Sequence, residues 1–297
     1  VSLGGTDPHN VTQFVCASLR QLNTTPPVKI LLGKQVEQAS LAAMMADADV
    51  AIGAGGATSW ERCCMGLPTI MIATASNQLN NAAQLSQAGA VDYLGEHNKI
   101  DAQRLIDAVR HLIKNPLHLK KMSAAAAAIC DGYGIRRVVL ELLPQFAKDG
   151  SIVRLRRANI NDAEIMLTWQ QDVSTRQFAR NPKPPTRSEH FGWLEKRLSN
   201  PGCIFNIILY RNHPVGVLRL DKIANTVKAY EISILTSPDY RRLGLAGAAL
   251  RLIRTMFPEF ELRATVLPDN HSSHNLFRND GYRFSNGVYV NNICEMA

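Results

Sequence analysis

Residues 231–247, EISILTSPDYRRLGLAG, pass from a β-branched apolar run into a helix-forming one through R-x-x-G-x-A, Arg241 to Ala246. The first amides of a helix have no internal acceptor, and Gly or Ala there lets an anion approach the backbone closely, so this segment suits a diphosphate. About twenty residues on, 264–282 (ATVLPDNHSSHNLFRNDGY) reads as a strand, a helix opened by Asn270 and a stop at Gly281.

The 297 residues exceed one typical domain and set an expectation of two. With 46% apolar and 20% charged residues, the composition excludes collagen-like, coiled-coil and disordered chains. Six cysteines without a C-x-x-C pair or zinc-ligand spacing point to a reduced, cytoplasmic setting and no metal. No run approaches 18 uncharged apolar residues, so no membrane span is expected. The opening Val1-Ser2-Leu3-Gly4-Gly5 lacks Met and reads as a strand entering a turn, which suggests an amino-terminal truncation. The net charge of +8 falls almost wholly on residues 151–297. Without a Lys/Arg run or interleaved aromatics, that excess favours a phosphate-bearing small ligand over nucleic acid.

In the first half, short buried-strand runs at 28–32, 50–52 and 69–72 alternate with helix patterns at 11–22, 40–46, 58–65 and 77–87. Such alternation predicts a Rossmann-like α/β unit with a parallel sheet. Helix is expected from about 105 to 148, and Asp149-Gly150-Ser151 reads as the hinge between domains 1–148 and 151–297. Beyond it, a strand at 153–156, helices at 163–171 and 189–198, and strand runs at 204–210, 215–221 and 230–235 predict an α+β domain with an antiparallel meander.

The paired signatures at 241–247 and 270–282 resemble the GNAT superfamily of acyl-CoA-dependent N-acetyltransferases, over about 151–292. The resemblance implies a mostly antiparallel sheet with a V-shaped opening between two strands, and acetyl-CoA as the donor. Pantetheine would pair with backbone at Ile234, Leu235 and Thr236. The pyrophosphate would lie on the Arg241, Arg242, Leu243, Gly244, Leu245, Ala246 and Gly247 segment, and Asn270 and Ser273 would flank the pantetheine arm. The chemistry needs a base for the amine and an acid for the thiolate. Glu231 is the candidate base, acting through water. Where many members carry a tyrosine acid this chain has Phe277, which leaves Tyr282, His274 or Tyr230, with Tyr282 the candidate.

The first half carries two glycine loops, 2–7 (SLGGTD) and 53–63 (GAGGATSWERC), followed by Ala75-Ser76-Asn77-Gln78. These resemble the carboxyl-terminal half of GT-B nucleotide-sugar proteins, and within them the UDP-2,4-diacetamido-2,4,6-trideoxy-β-L-altropyranose hydrolases of pseudaminic acid biosynthesis. The resemblance implies that Gly55, Gly56, Ala57, Thr58 and Ser59 cradle a UDP diphosphate, that Glu61 accepts from the ribose, and that Asn77 and Gln78 face the sugar. Asp7 and His9 stand beside this site or, for Asp7, merely cap a helix. No histidine in 1–150 matches that family's catalytic motif, so weak UDP binding and little hydrolysis are expected.

The second half is also similar, from Arg154 to Trp193, to the N-acetyltransferases that act on a UDP-4-amino-4,6-dideoxy sugar in the same route. Arg176 and His190 are the candidates for holding that acceptor. The partners expected are nucleotide sugars, not nucleic acid or membrane. An acetyltransferase acting on a protein or peptide amine, or a non-catalytic nucleotide or acyl-CoA sensor, are the rival readings.

Overall fold

The computed structural model describes residues 1–3, 7, 9–22 and 38–291, and the chain divides into two compact units, Val1–Gly134 and Ile135–Ala297. The 28–32 strand, the Gly4–Thr6 loop and Cys294 lie outside the described residues.

The first unit runs α1 (Val11–Leu19), α2 (Gln38–Ala46), β1 (Ala51–Ala54), α3 (Thr58–Cys64), β2 (Thr69–Ala73), α4 (Leu79–Gln87), β3 (Val91–Glu96), α5 (Ala102–Lys114) and α6 (Pro116–Ile129). The three strands form a parallel sheet in the order β1-β2-β3, with Ser2 bridging Gly53 in parallel. β2 is buried at every position because alternate residues enter two cores. Ile70 and Ile72 pack with Val11, Val15, Leu105 and Leu112, whereas Met71 packs with Cys63, Leu85 and Ala126. Asp7 caps α1, its carboxylate accepting from the amides of Val11 at 3.0 Å and Thr12 at 2.9 Å.

The second unit takes α7 (Gly134–Leu142), β4 (Gln145–Phe146), β5 (Ile152–Arg157), α8 (Ala163–Gln171), α9 (Val173–Arg176), α10 (Arg187–Leu198), β6 (Cys203–Tyr210), β7 (His213–Lys222), β8 (Ala229–Thr236), α11 (Leu245–Met256), β9 (Glu261–Thr265), α12 (His271–Asn279), β10 (Arg283–Ser285) and β11 (Val288–Val290). Its eight strands stand in the order β10-β11-β9-β8-β7-β6-β5-β4. Every neighbouring pair is antiparallel except β8 with β9. One face carries Phe205, Ile207 and Val217 into a core with Met166, Trp169 and Leu194 of α8 and α10. On the other, Tyr230 stacks on Phe260, which stacks on Phe257 at the end of α11.

The division therefore falls near residue 134, not at Asp149-Gly150-Ser151. β4 pairs with β5, and Arg136 of α7 donates to the Met256 carbonyl at 2.7 Å and pairs with Glu259 at 2.7 Å. The 149–151 tripeptide is the turn joining β4 to β5. Gly150 takes φ +81°, and the Asp149 carboxylate accepts from the Tyr210 hydroxyl at 2.6 Å and the Ser151 amide at 3.0 Å. The Tyr210 hydrogen bond leads the contacts that hold Asp149 well below the usual carboxylate range. Hairpin turns and interdomain hinges use the same residue types, which is why the tripeptide reads as either. Residues 145–146 are accordingly strand, where helix was expected.

Candidate active site

Strand β8 pairs with β7 from Tyr230 to Thr236, but with β9 only at Ala229, Tyr230 and Glu231. Past Glu231 and its partner Arg263 the two strands part. Among the described residues, the backbone of 232–236 then has a strand neighbour on the β7 side alone, and alternate N–H and C=O groups on the other edge face the opening. The expected V is thus present, with Glu231 on its last closed rung and Ile234, Leu235 and Thr236 along its free edge.

The chain next turns through residues 241–244 into α11. Arg242 and Gly244 both take left-handed φ, +65° and +80°, and the Leu243 carbonyl between them accepts from the Lys148 amide at 2.9 Å. Among the described residues, no acceptor engages the amides of Arg242, Leu243, Gly244, Leu245, Ala246 or Gly247; the first helical bond of α11 runs from the Ala248 amide to the Gly244 carbonyl at 3.1 Å. Six unpaired donors at the positive end of a twelve-residue helix form an anion receptor. The residues present fit a CoA diphosphate. Two residues in this stretch do something other than expected. Arg241 donates to Ser174 Oγ at 2.7 Å and Thr175 Oγ1 at 3.1 Å, tying the loop to α9. Gly247 faces protein: a Cβ there would stand 2.7 Å from the Asp280 carboxylate that Arg251 holds at 2.7 Å.

Asn270 caps α12, its side-chain oxygen accepting from the Ser273 amide at 3.1 Å, which leaves its NH₂ without a partner among the described residues. Glu231 is half-buried and ion-paired with Arg180. Beside it on β7, Asp221 is held by Arg197 and Arg219, both at 2.8 Å.

Three candidates are placed elsewhere. Tyr282 lies in the core against Phe277, with Arg254 over its ring at 5.4 Å, and its hydroxyl has no partner among the described residues. Burial pushes its phenol far above the usual tyrosine range. At 4% exposure it is packed as a core residue. Removing a buried, unpaired hydroxyl relieves a desolvation cost, so Tyr282→Phe is expected to keep turnover within twofold and raise stability by up to about 1 kcal/mol, read by thermal unfolding. A hundredfold loss of turnover would restore the tyrosine to the mechanism. His190 is 3% exposed, edge-on to Phe191 and beside Trp193; burial holds its imidazole low, and it is a core residue, not an acceptor contact. Arg176 donates to Gln170 at 2.9 Å, to the Lys183 carbonyl at 2.9 Å and to the Pro182 carbonyl at 3.4 Å, so it frames the Pro-rich loop. His274 keeps a link to Tyr289, with Nδ1 and the hydroxyl 2.9 Å apart.

In the first unit the 55–59 loop lies at the carboxyl ends of the parallel strands. Gln78 does not face a sugar there: its Oε1 accepts from the amides of Gly55 at 3.2 Å and Thr74 at 3.1 Å. A Cβ at Gly55 would lie 3.2 Å from the Gln78 Cβ, whereas Gly56 faces open space. Ser59 is buried, its hydroxyl donating to the Gly56 carbonyl at 2.6 Å. The amides of Gly56, Ala57 and Thr58 remain without acceptors among the described residues; Glu61 is half-exposed and Asn77 exposed. Two further residues support the loop. Asn81 donates to the Gly55 carbonyl at 2.7 Å, and Arg62, 2% exposed, donates to the Ala54 carbonyl at 2.5 Å. Burial pulls the Arg62 guanidinium down to about 10. Asn81 stands three residues after Gln78 on one helical face, the one signal that would have found it.

Residues 28–132 match the glycosyltransferase family 28 C-terminal domain, and residues 153–283 match the acetyltransferase (GNAT) domain. The spore coat polysaccharide biosynthesis protein SpsG of Bacillus subtilis (strain 168) is 27% identical over 164 residues, covering 46% of this chain and 47% of that protein. The chain thus spans about half the length of this curated relative. Among solved structures, the ribosomal L7/L12 α-N-protein acetyltransferase RimL in complex with coenzyme A aligns at 16% identity and TM-score 0.43, over 48% of this chain and 94% of its own. RimJ of Mycobacterium smegmatis aligns at 16% and 0.43, over 50% and 83%. The chain thus resembles a glycosyltransferase C-terminal domain over its first match and an acetyltransferase (GNAT) domain over its second, in that order.

Proposed function

We propose that this chain transfers an acetyl group from acetyl-CoA to the 4-amino group of a UDP-linked 4-amino-4,6-dideoxy sugar on the route to pseudaminic acid, and that its first unit binds the UDP of the same class of nucleotide sugar. The observation that carries the reading is the run of unpaired amides at 242–247 beside the parted strands β8 and β9. The sugar side is supported by the glycosyltransferase-like domain and by the likeness to a polysaccharide biosynthesis protein.

When bound, acetyl-CoA supplies an acyl group activated as a thioester. The amides of 242–247 hold its diphosphate, and the free edge of 232–236 orients the pantetheine arm by strand-like pairing. Glu231 takes a proton from the acceptor ammonium through water, and the neutral nitrogen forms the new C–N bond as the C–S bond breaks. The nitrogen loses its second proton to solvent as the amide forms, and the departing thiolate takes its proton from solvent.

Mass spectrometry of the protein incubated with acetyl-CoA and the UDP-4-amino sugar, with peptides as competing acceptors, tests the reading. One added acetyl group on the sugar is expected. Acetylation of peptides alone would overturn the acceptor, and no CoA-dependent product would overturn the transferase.

A further inference from the structure

Glu231 does not stand alone at the fork of the sheet. Strand register puts Asp221, Glu231 and Arg263 in one transverse row, and residues two apart on a strand share that face. Most charges here are locked. Asp221 bridges Arg197 and Arg219, the Arg219 side chain is only 17% exposed and lies over Trp193 at 5.2 Å, and Arg263 pairs with Glu261 at 2.5 Å. Arg180 differs. It reaches Glu231 from the loop between α9 and α10, its side chain is 74% exposed, and Glu231 is its one hydrogen-bonded partner among the described residues.

That loop is framed at its base. Arg176 and Gln171 bond the carbonyls of Pro182, Lys183 and Pro185, and Arg241 fastens α9 to the donor loop. The result is a fixed arm ending in an exposed guanidinium on the carboxylate assigned as base. An exposed ion pair is worth little and exchanges partners readily, whereas a guanidinium fork matches phosphate oxygens in two parallel hydrogen bonds.

We propose that Arg180 is the acceptor-specificity residue of this acetyltransferase: it covers Glu231 at rest, and a phosphate group on the incoming amine draws it away, which anchors the acceptor and uncovers the carboxylate in one exchange. The inference rests on the transferase reading above and assigns to Arg180 the recognition of the acceptor's phosphate, whether it belongs to a nucleoside diphosphate or to a sugar monophosphate.

The test compares wild type, Arg180→Gln and Arg180→Lys with three acceptors: the UDP-4-amino sugar, glucosamine 1-phosphate and glucosamine. Losing a charge-assisted phosphate contact is expected to raise the KM of phosphate-bearing acceptors roughly 10- to 100-fold in Arg180→Gln. Glucosamine turnover rises in Arg180→Gln, because the carboxylate is then uncovered without phosphate, while the acetyl-CoA KM stays within about threefold and Arg180→Lys recovers part of the lost phosphate preference. Preference for the UDP sugar over glucosamine 1-phosphate identifies the diphosphate as the source, and the reverse the monophosphate. An unchanged preference in Arg180→Gln overturns the proposal while the transferase reading stands. If no amine is acetylated, calorimetric binding of glucosamine 1-phosphate and the UDP sugar still decides: weaker binding in Arg180→Gln supports the arginine's role, and equal or absent binding in both proteins overturns it.

Discussion

Glu231→Gln is expected to lower turnover by about 10²- to 10³-fold while leaving the acetyl-CoA KM within twofold, measured by thiol release at saturating acceptor. The size follows from position. The strands part directly beyond Glu231, so its carboxylate stands where the acceptor amine must meet the thioester if the donor lies along 232–236. The neighbouring carboxylate cannot replace it, because two arginines hold Asp221. Folding should be little affected: the pair with Arg180 is exposed on the arginine side, and such pairs contribute about 1 kcal/mol or less. A variant that folds, binds acetyl-CoA and turns over normally would remove Glu231 from the proton path. If instead neither protein turns over and both bind acetyl-CoA equally, the sensor reading gains.

What the sequence shows of this site depends on how local each requirement is. The 241–247 loop is legible in R-x-x-G-x-A because its demands are backbone demands within a few residues: Gly244 supplies φ +80° and the helix start leaves its amides free. The meander is equally legible, since β6, β7 and β8 carry apolar runs or strand-like alternation separated by turn residues. β3 is not, because Val91–Glu96 mixes Asp92, Gly95 and Glu96 into a strand with only two buried positions. Side-chain roles fail where tertiary packing decides them. Tyr282 follows a helix-ending glycine, and nothing local reveals that its ring turns into the core against Phe277. His190 and Arg176 sit among polar residues on short helices, yet one packs beside Trp193 and the other ties down a loop. Arg180 reaches Glu231 across 51 positions of sequence, and no spacing rule connects them.

Gly216→Ala is expected to destabilise the second unit by about 2–3 kcal/mol, lowering its unfolding midpoint by roughly 5–10 °C, and to raise the acetyl-CoA KM roughly tenfold. Gly216 lies in β7 opposite Thr236, at the open end of the fork. A methyl there would stand 2.4 Å from the Leu235 carbonyl oxygen and 3.1 Å from the Thr236 Cα. Both are backbone atoms, so no rotamer change relieves the contact; β8 must move away from β7. The Ser237 amide, which donates to the Val215 carbonyl at 2.8 Å, would lose its bond with that shift. The strand displaced is the one whose free edge is assigned to the pantetheine arm, so stability and donor binding should fall together. Gly192→Ala separates this effect from a general response to glycine replacement. Gly192 sits inside α10 with open space where a Cβ would be, and alanine there should stabilise by about 0.5–1 kcal/mol without moving the acetyl-CoA KM. Calorimetric scans of the two variants with donor titrations check both. Wild-type melting and donor affinity in Gly216→Ala would mean that β7 and β8 do not approach so closely at this point, and the assignment of 234–236 to the donor would lose its physical basis.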